Sequence, residues 1–492
     1  MKDLKHRVIR GGLVRIVSQA STLILRTGSI VVMARLLSPK DFGLVGMVTA
    51  VIGVFSVFKD FGLSAAAIQR STITADQSSA LFWINLLVGA CLSLLTFVMA
   101  PFVAAFYHEP RVVGVAAVLA MAFFFNSAGV QHSALIERQM RFVTLSVIDM
   151  ISLLTGTAIG ICMALRGFGY WSLVAVPTIT PLTYTVCVWL IAKWIPARPH
   201  RHSGILPMMR FGGALTLNGL ISYIASNADK VLLGRFCGVE ALGIYGRAYQ
   251  LINVPTDNLN SAAGGVAFAA LSRLQSEPAR MKSYFLKGYS LILSLTLPII
   301  ATCGVYATDI IRVFLGQRWA SAAPVFRLLA PAMLAFAILI PLHWLLASCG
   351  LVGRGLRISL VRAPILIVGC AIGLHWGPKG VACAYSVVMG ALMIPMMVWA
   401  VFRTPVSVRD LILTVGRPLL SGIVAASVGL GVQFFVGSSL SVVPRLILGA
   451  TVICSVYLLI LIYALNQKRL FVELFRGLVK PSSHDESLVL PT

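Results

Sequence analysis

The side chains with the most chemistry to offer are charged and polar groups set inside long apolar runs. Arg15 and Arg26 stand eleven residues apart in the first such run, close to three helical turns, which puts them on one helix face about 16 Å apart along the axis. Lys59 and Asp60 lie near the end of the second run. Asn227, Asp229 and Lys230 come late in the seventh, and Arg247 and Asp257 are in the eighth. An ionised group at the centre of a membrane helix costs roughly 2.5 to 3.5 kcal/mol, so such groups face water or one another. Basic groups outnumber acidic ones here, and a guanidinium offers paired donors matched to phosphate and carboxylate oxygens. A cavity lined this way suits a lipid diphosphate head carrying an acidic sugar. The competing structural reading lets Lys59 and Lys230 snorkel to an interface, with Asp60, Asp229 and Asp257 as their ion-pair partners. It also assigns Arg327, Arg362 and Arg417, close to helix ends, to snorkelling. Around Asp257, the run Pro255, Thr256, Asn258, Asn260, Ser261, Gly264 and Gly265 reads as a broken, polar segment, tolerated at membrane depth only inside protein or beside water.

These residues need elements that cross a bilayer. Of 492 residues, 58% are hydrophobic and 11% charged, with a mean hydropathy of +0.91, far from the usual balance of a water-soluble domain. Apolar stretches of about twenty residues recur from 12–37 to 443–465, with the seventh near 211–235 and the eighth near 241–270, giving about fourteen transmembrane helices and an all-α integral membrane fold. An even count puts both termini on one side. More than half of the Lys and Arg residues fall in loops on that side, above all at 193–210, 273–287 and 468–480, which places the termini in the cytoplasm. The formal charge of +24 then reports membrane orientation. No basic soluble domain is present to bind nucleic acid. The basic segment before the first apolar run, with Arg15 and Arg26 inside that run and no small-residue cleavage site, reads as a retained helix.

Three prolines with Arg198, His200, Arg201 and His202 mark 195–210 as a cytoplasmic linker. It separates 1–194 (helices one to six) from 211–403 (helices seven to twelve), followed by two extra helices in 404–466 and a cytoplasmic tail, 467–492. The segments 34–46 (ARLLSPKDFGLVG) and 234–246 (GRFCGVEALGIYG) align at an offset of 200 residues, matching Arg35 with Arg235, Gly43 with Gly243 and Gly46 with Gly246. Each follows the first helix of its half, so the halves read as parallel six-helix repeats with a site at their interface.

The remaining signals exclude chemistry. The nine cysteines stand singly with no metal-ligand spacing and read as packing residues. No phosphate-binding loop or HExxH motif is present. The non-cytoplasmic loops are short; the longest, about 307–322, carries Asp309, Arg312 and Arg318, and the large loop with carboxylates or histidines that outward-facing acid/base catalysis would use is absent. No enzyme activity and no cofactor are expected. Gly156/Gly160 and Gly369/Gly373 permit close helix approach, and Trp83, Trp171, Trp194, Trp319 and Trp376 read as interfacial anchors.

The stretch 227–275, beginning NADKVLLGRFCGVEALGIYGRAYQ, resembles a segment of polysaccharide and O-antigen flippases of the multidrug/oligosaccharidyl-lipid/polysaccharide exporter superfamily. The branch it is similar to includes the colanic acid, succinoglycan and teichuronic acid exporters. The stretch 34–69, with LLSPKDFGLVGM and FKDFGLSAAAIQ, is similar to the N-terminal segment of that branch. The resemblance implies two six-helix lobes facing a central cationic cavity, alternating access, and an undecaprenyl-diphosphate-linked repeat unit as cargo in the bacterial inner membrane. It further implies Arg15, Arg26, Lys59 and Arg247 as cavity residues, matched by helix and chemistry. Asp229 or Asp257 would couple transport to a proton or sodium ion, with Asp60, Asn227 and Lys230 as further coupling or pairing groups. Polysaccharide polymerase or assembly proteins are expected neighbours. Two alternatives stand beside this reading: a cation-coupled multidrug antiporter of the same architecture, and a membrane-embedded sugar-transferring enzyme.

Overall fold

The computed structural model describes residues 21–58, 74–198, 206–436 and 440–464. Among them every regular element is helical. Helix α1 covers 21–36. It is followed by α2 (Pro39–Ser56), α3 (Ala75–Tyr107), α4 (Val112–Arg138), α5 (Phe142–Leu165) and α6 (Trp171–Ala192). The helical stretch Leu206–Arg273 divides at Gly238 into α7 (206–237) and α8 (239–273). Then come α9 (Pro278–Val305), the short α10 (Ala307–Phe314), α11 (Ala322–Ser348), α12 (Val352–Gly373), α13 (Gly377–Val401), α14 (Val408–Val436) and α15 (Val442–Leu459). Among the described residues, ten stretches are long and apolar enough to cross a membrane, one of which, Val352–Val401, holds both α12 and α13. The chain is a multi-pass membrane protein.

The turns follow from local chemistry. Ser38 caps α2: its backbone N–H donates to Asp41 Oδ2 at 2.9 Å, while its hydroxyl accepts from the Asp41 N–H, the reciprocal capping box that satisfies free donors at a helix start. At the matching place 200 residues on stands Gly238, with φ +83° and ψ −177°, a conformation open essentially to glycine alone. Between α3 and α4, His108 adopts φ +56°, and Arg111 Nε donates to Glu109 at 2.8 Å, which holds the Glu109 carboxyl below the usual carboxylate range.

The chain forms two compact units. The first takes in α1 to α7, the opening turns of α8, and residues 314–325 and 359–384. Its core joins Leu44, Met47, Val48 and Ile52 of α2 to Val103 and Tyr107 of α3, Val112, Val115 and Leu119 of α4, and Leu242 of α8. Gly156 and Gly160 of α5 lie against Thr180 and Val176 of α6, and Gly373 of α12 meets Gly380 of α13, so these glycines serve close helix contact. The second unit comprises 249–313, 326–358 and the chain from 385 onward. There α14 and α15 pack on α9. The Tyr306 hydroxyl donates to the Gly429 carbonyl at 3.0 Å, and Arg445 pairs with the buried Asp309, with Nε to Oδ2 at 2.8 Å.

Two expectations need correction. Helix α8 passes Pro255 unbroken. Thr256 donates to the Asn253 carbonyl at 2.9 Å and Asn258 to the Val254 carbonyl at 2.6 Å, so these polar side chains bond back onto their own helix. Trp319 is also no interfacial anchor. It is fully buried, and its indole N–H donates to the Ala34 carbonyl at 2.8 Å.

Candidate functional site

The candidate residues fall into distinct settings. Arg15, Lys59 and Asp60 lie outside the described residues. Arg26 is exposed on α1. On α7, Lys230 donates to Asn227 Oδ1 at 2.9 Å and Asn227 to the Tyr223 carbonyl at 3.0 Å. The Tyr223 hydroxyl in turn donates to the Thr49 carbonyl of α2 at 2.9 Å. Asn227 and Lys230 thus form one polar chain along a helix face, as their three-residue spacing allows. Asp229 points elsewhere. It is 3% exposed, accepts from the Tyr245 hydroxyl at 2.7 Å through Oδ2, and its Oδ1 has no hydrogen-bond partner among the described residues. Asp257 is exposed on α8.

Arg247 is half-buried, and its guanidinium carbon sits 4.0 Å from the centre of the Phe42 ring. Phe42 is 4% exposed and meets Trp319 edge-on, ring centres 5.3 Å apart. Arg247, Phe42 and Trp319 therefore form a continuous stack, and a guanidinium over an aromatic face is held by the ring's negative quadrupole.

This stack borders a contact between the two repeated segments. A β-carbon on Gly43 would strike the Val239 carbonyl, and one on Gly243 would strike the Pro39 carbonyl. These two contacts exchange under the 200-residue offset. Lys40 and Glu240, also 200 apart, form an ion pair at 3.6 Å. The starts of α2 and α8 thus cross backbone to backbone in a local two-fold arrangement.

Sequence reading missed Phe42, Tyr245, Lys40 and Glu240, and took Trp319 for an interfacial anchor. The offset alignment held the signal for the ion pair, since it sets Lys40 against Glu240. Nothing local marks Phe42 or Trp319, which are ordinary apolar residues until the tertiary fold brings them to Arg247.

Many long apolar helices with glycine-tight crossings define a polytopic helical membrane protein. A solved structure of the lipid II flippase MurJ in an inward closed conformation superposes with a TM-score of 0.72 at 13% identity, covering 96% of this chain and 100% of that one. An inward-facing multidrug resistance MATE transporter gives 0.62 at 16% identity, over 79% of this chain and 97% of that one. The chain belongs to the polysaccharide biosynthesis protein family, whose model matches residues 32–324. Among its relatives, the teichuronic acid biosynthesis protein TuaB of Bacillus subtilis is 28% identical over 55% of this chain. This chain spans only 56% of that protein in the match. The succinoglycan biosynthesis transport protein ExoT of Rhizobium meliloti is 25% identical over 84% of each chain. The lipopolysaccharide biosynthesis protein WzxC of Escherichia coli is 23% identical over 80% of each.

Proposed function

We propose that the chain is a flippase that carries an undecaprenyl-diphosphate-linked anionic oligosaccharide across the bacterial inner membrane for exopolysaccharide, capsule or O-antigen synthesis. It works by alternating access, with fourteen membrane crossings, both termini cytoplasmic, and two parallel six-helix lobes, 1–194 and 211–403, around a basic cavity. Relatives named for succinoglycan transport and teichuronic acid biosynthesis support the cargo class. The observation that carries the reading is Arg247, a guanidinium kept within the helical bundle against an aromatic face. A guanidinium set within membrane helices is costly, and its paired donors match phosphate oxygens. Arg247 and Arg26 hold the diphosphate, and Arg15 and Lys59 assist. Asp229, buried with one oxygen unpartnered among the described residues, is the first candidate for proton or sodium coupling, ahead of the exposed Asp257. Dissipating ion gradients without slowing translocation would remove the coupling role.

A strain lacking the gene, complemented with wild type, Arg26→Ala or Arg247→Ala, tests this reading. Wild type restores extracellular polymer. Both variants, at normal membrane levels, leave lipid-linked repeat units on the cytoplasmic face. Unchanged polymer with raised sensitivity to cationic drugs would instead support a drug antiporter, the second reading favoured by the likeness to the MATE fold.

A further inference from the structure

The chain that leaves α6, residues 193–198, is fastened back onto α3 and α4. Lys193 takes φ +48°, a left-handed turn of the kind that ends many helices. Ile195 precedes Pro196, which biases it to extended backbone, and in extended backbone neighbouring side chains point to opposite sides. Trp194 turns inward, its ring centre 5.1 Å from that of His132 and 6.1 Å from that of Phe82. His132 Nε2 donates to the Trp194 carbonyl at 3.1 Å. The Trp83 indole N–H donates to the Ala197 carbonyl at 2.9 Å, and the Ala197 N–H donates to the Ser79 hydroxyl at 3.1 Å. His132 is itself held: it is fully buried and stacks on Trp189, ring centres 4.3 Å apart, whose indole N–H donates to the Ala128 carbonyl at 2.8 Å. The backbone is therefore pinned on both sides of Ile195.

Ile195 itself faces outward and is 84% exposed. A single exposed apolar side chain is ordinary; its setting here is not. Lys193 and Arg198 flank it, both exposed, and neither pairs with a carboxylate among the described residues. At this end of the spanning helices, Leu87 of α3 and Leu190 of α6 are 64% and 69% exposed, and the indoles of Trp83 and Trp189 stand partly exposed beside them. An apolar side chain between two cations, next to indoles at the ends of spanning helices, has the composition that enters the headgroup boundary of a bilayer.

We propose that residues 193–198 form a membrane-bound strap, clasped by Trp83 and His132, that holds Ile195 in the bilayer boundary and sets Lys193 and Arg198 on anionic phospholipid headgroups. The segment read from sequence as the start of a linker between halves is thus part of the first half's membrane surface. Unpaired charge favours anionic over zwitterionic headgroups. The inference does not depend on the cargo.

The test uses the full chain in liposomes, with a fluorescent amino acid in place of Ile195 or, as a lipid-facing reference, of Leu190. A quencher carried by phospholipid near its headgroup should dim both positions, and iodide in the water should dim neither. Trp83→Phe combined with His132→Phe keeps aromatic rings in the clasp and removes both bonds to the strap carbonyls. It should lower lipid quenching at 195 about fivefold or more, the factor that a single net hydrogen bond supplies. Quenching at 190 should not change, which reports that α6 still sits in the bilayer. Lipid quenching at 195 should be stronger in phosphatidylglycerol than in phosphatidylcholine, and Lys193→Gln with Arg198→Gln should erase that difference. Quenching of 195 by iodide alone, or by neither agent as a protein contact would give, would overturn the proposal. So would lipid quenching that survives both clasp substitutions, or equal quenching of the unsubstituted strap in the two lipids.

Discussion

Arg247 shows how much one residue can carry that its neighbours in sequence do not explain. Its position in a long apolar run marks a charge in a costly place, and that much is legible from the chain alone. Its partner is not, because Phe42 meets Arg247 across 205 positions of sequence and Trp319 meets Phe42 across 277. Asp309 illustrates the converse. In sequence it is a loop carboxylate. In the fold it is 1% exposed and paired with Arg445 of α15. Asp309→Ala should destabilise the protein by about 3 kcal/mol, because removing one partner leaves a charge poorly solvated, while Asp309→Leu with Arg445→Met should recover most of that loss. Thermal unfolding in detergent micelles checks both; equal melting of wild type and the single variant would show that the pair contributes nothing.

At the scale of elements, hydropathy finds the helices because lipid leaves the backbone no other way to satisfy its hydrogen bonds. It is less reliable about where they break. Pro255 with its polar neighbours suggests an interruption, and α8 runs through it, with Thr256 and Asn258 bonded back onto carbonyls of their own helix. The division between α7 and α8, read from sequence between 235 and 241, falls at Gly238, where φ is +83° and ψ −177°. Gly238→Ala should therefore cost about 1 to 3 kcal/mol through backbone strain, seen as a lower midpoint of thermal unfolding. An unshifted midpoint would mean that the turn accepts a side chain. Helices α14 and α15, read from sequence as an addition to two repeats, are bound into the second unit through Tyr306, Asp309 and Lys282, whose amine lies 2.6 Å from Asp410.

For the whole molecule, the offset of 200 residues reaches further than its few identities suggest. It matches Gly43 with Gly243, which lie at the heart of one crossing, and Lys40 with Glu240, which pair across it. The fold is that of lipid and drug transporters, and the family is that of polysaccharide biosynthesis proteins. What separates a lipid-linked sugar carrier from a drug carrier on one architecture is the charge presented to the cargo. The most direct measurement is translocation of a fluorescent undecaprenyl-diphosphate oligosaccharide bearing uronic acids in proteoliposomes of the purified chain. The transferred fraction is read by quenching the outer leaflet. Wild type should move the lipid-linked sugar many times faster than empty liposomes, and Arg247→Ala should fall towards the empty level, a loss of about tenfold or more for one phosphate-binding guanidinium. Equal rates for wild type and empty liposomes, with active efflux of a cationic dye by the same preparation, would contradict the account.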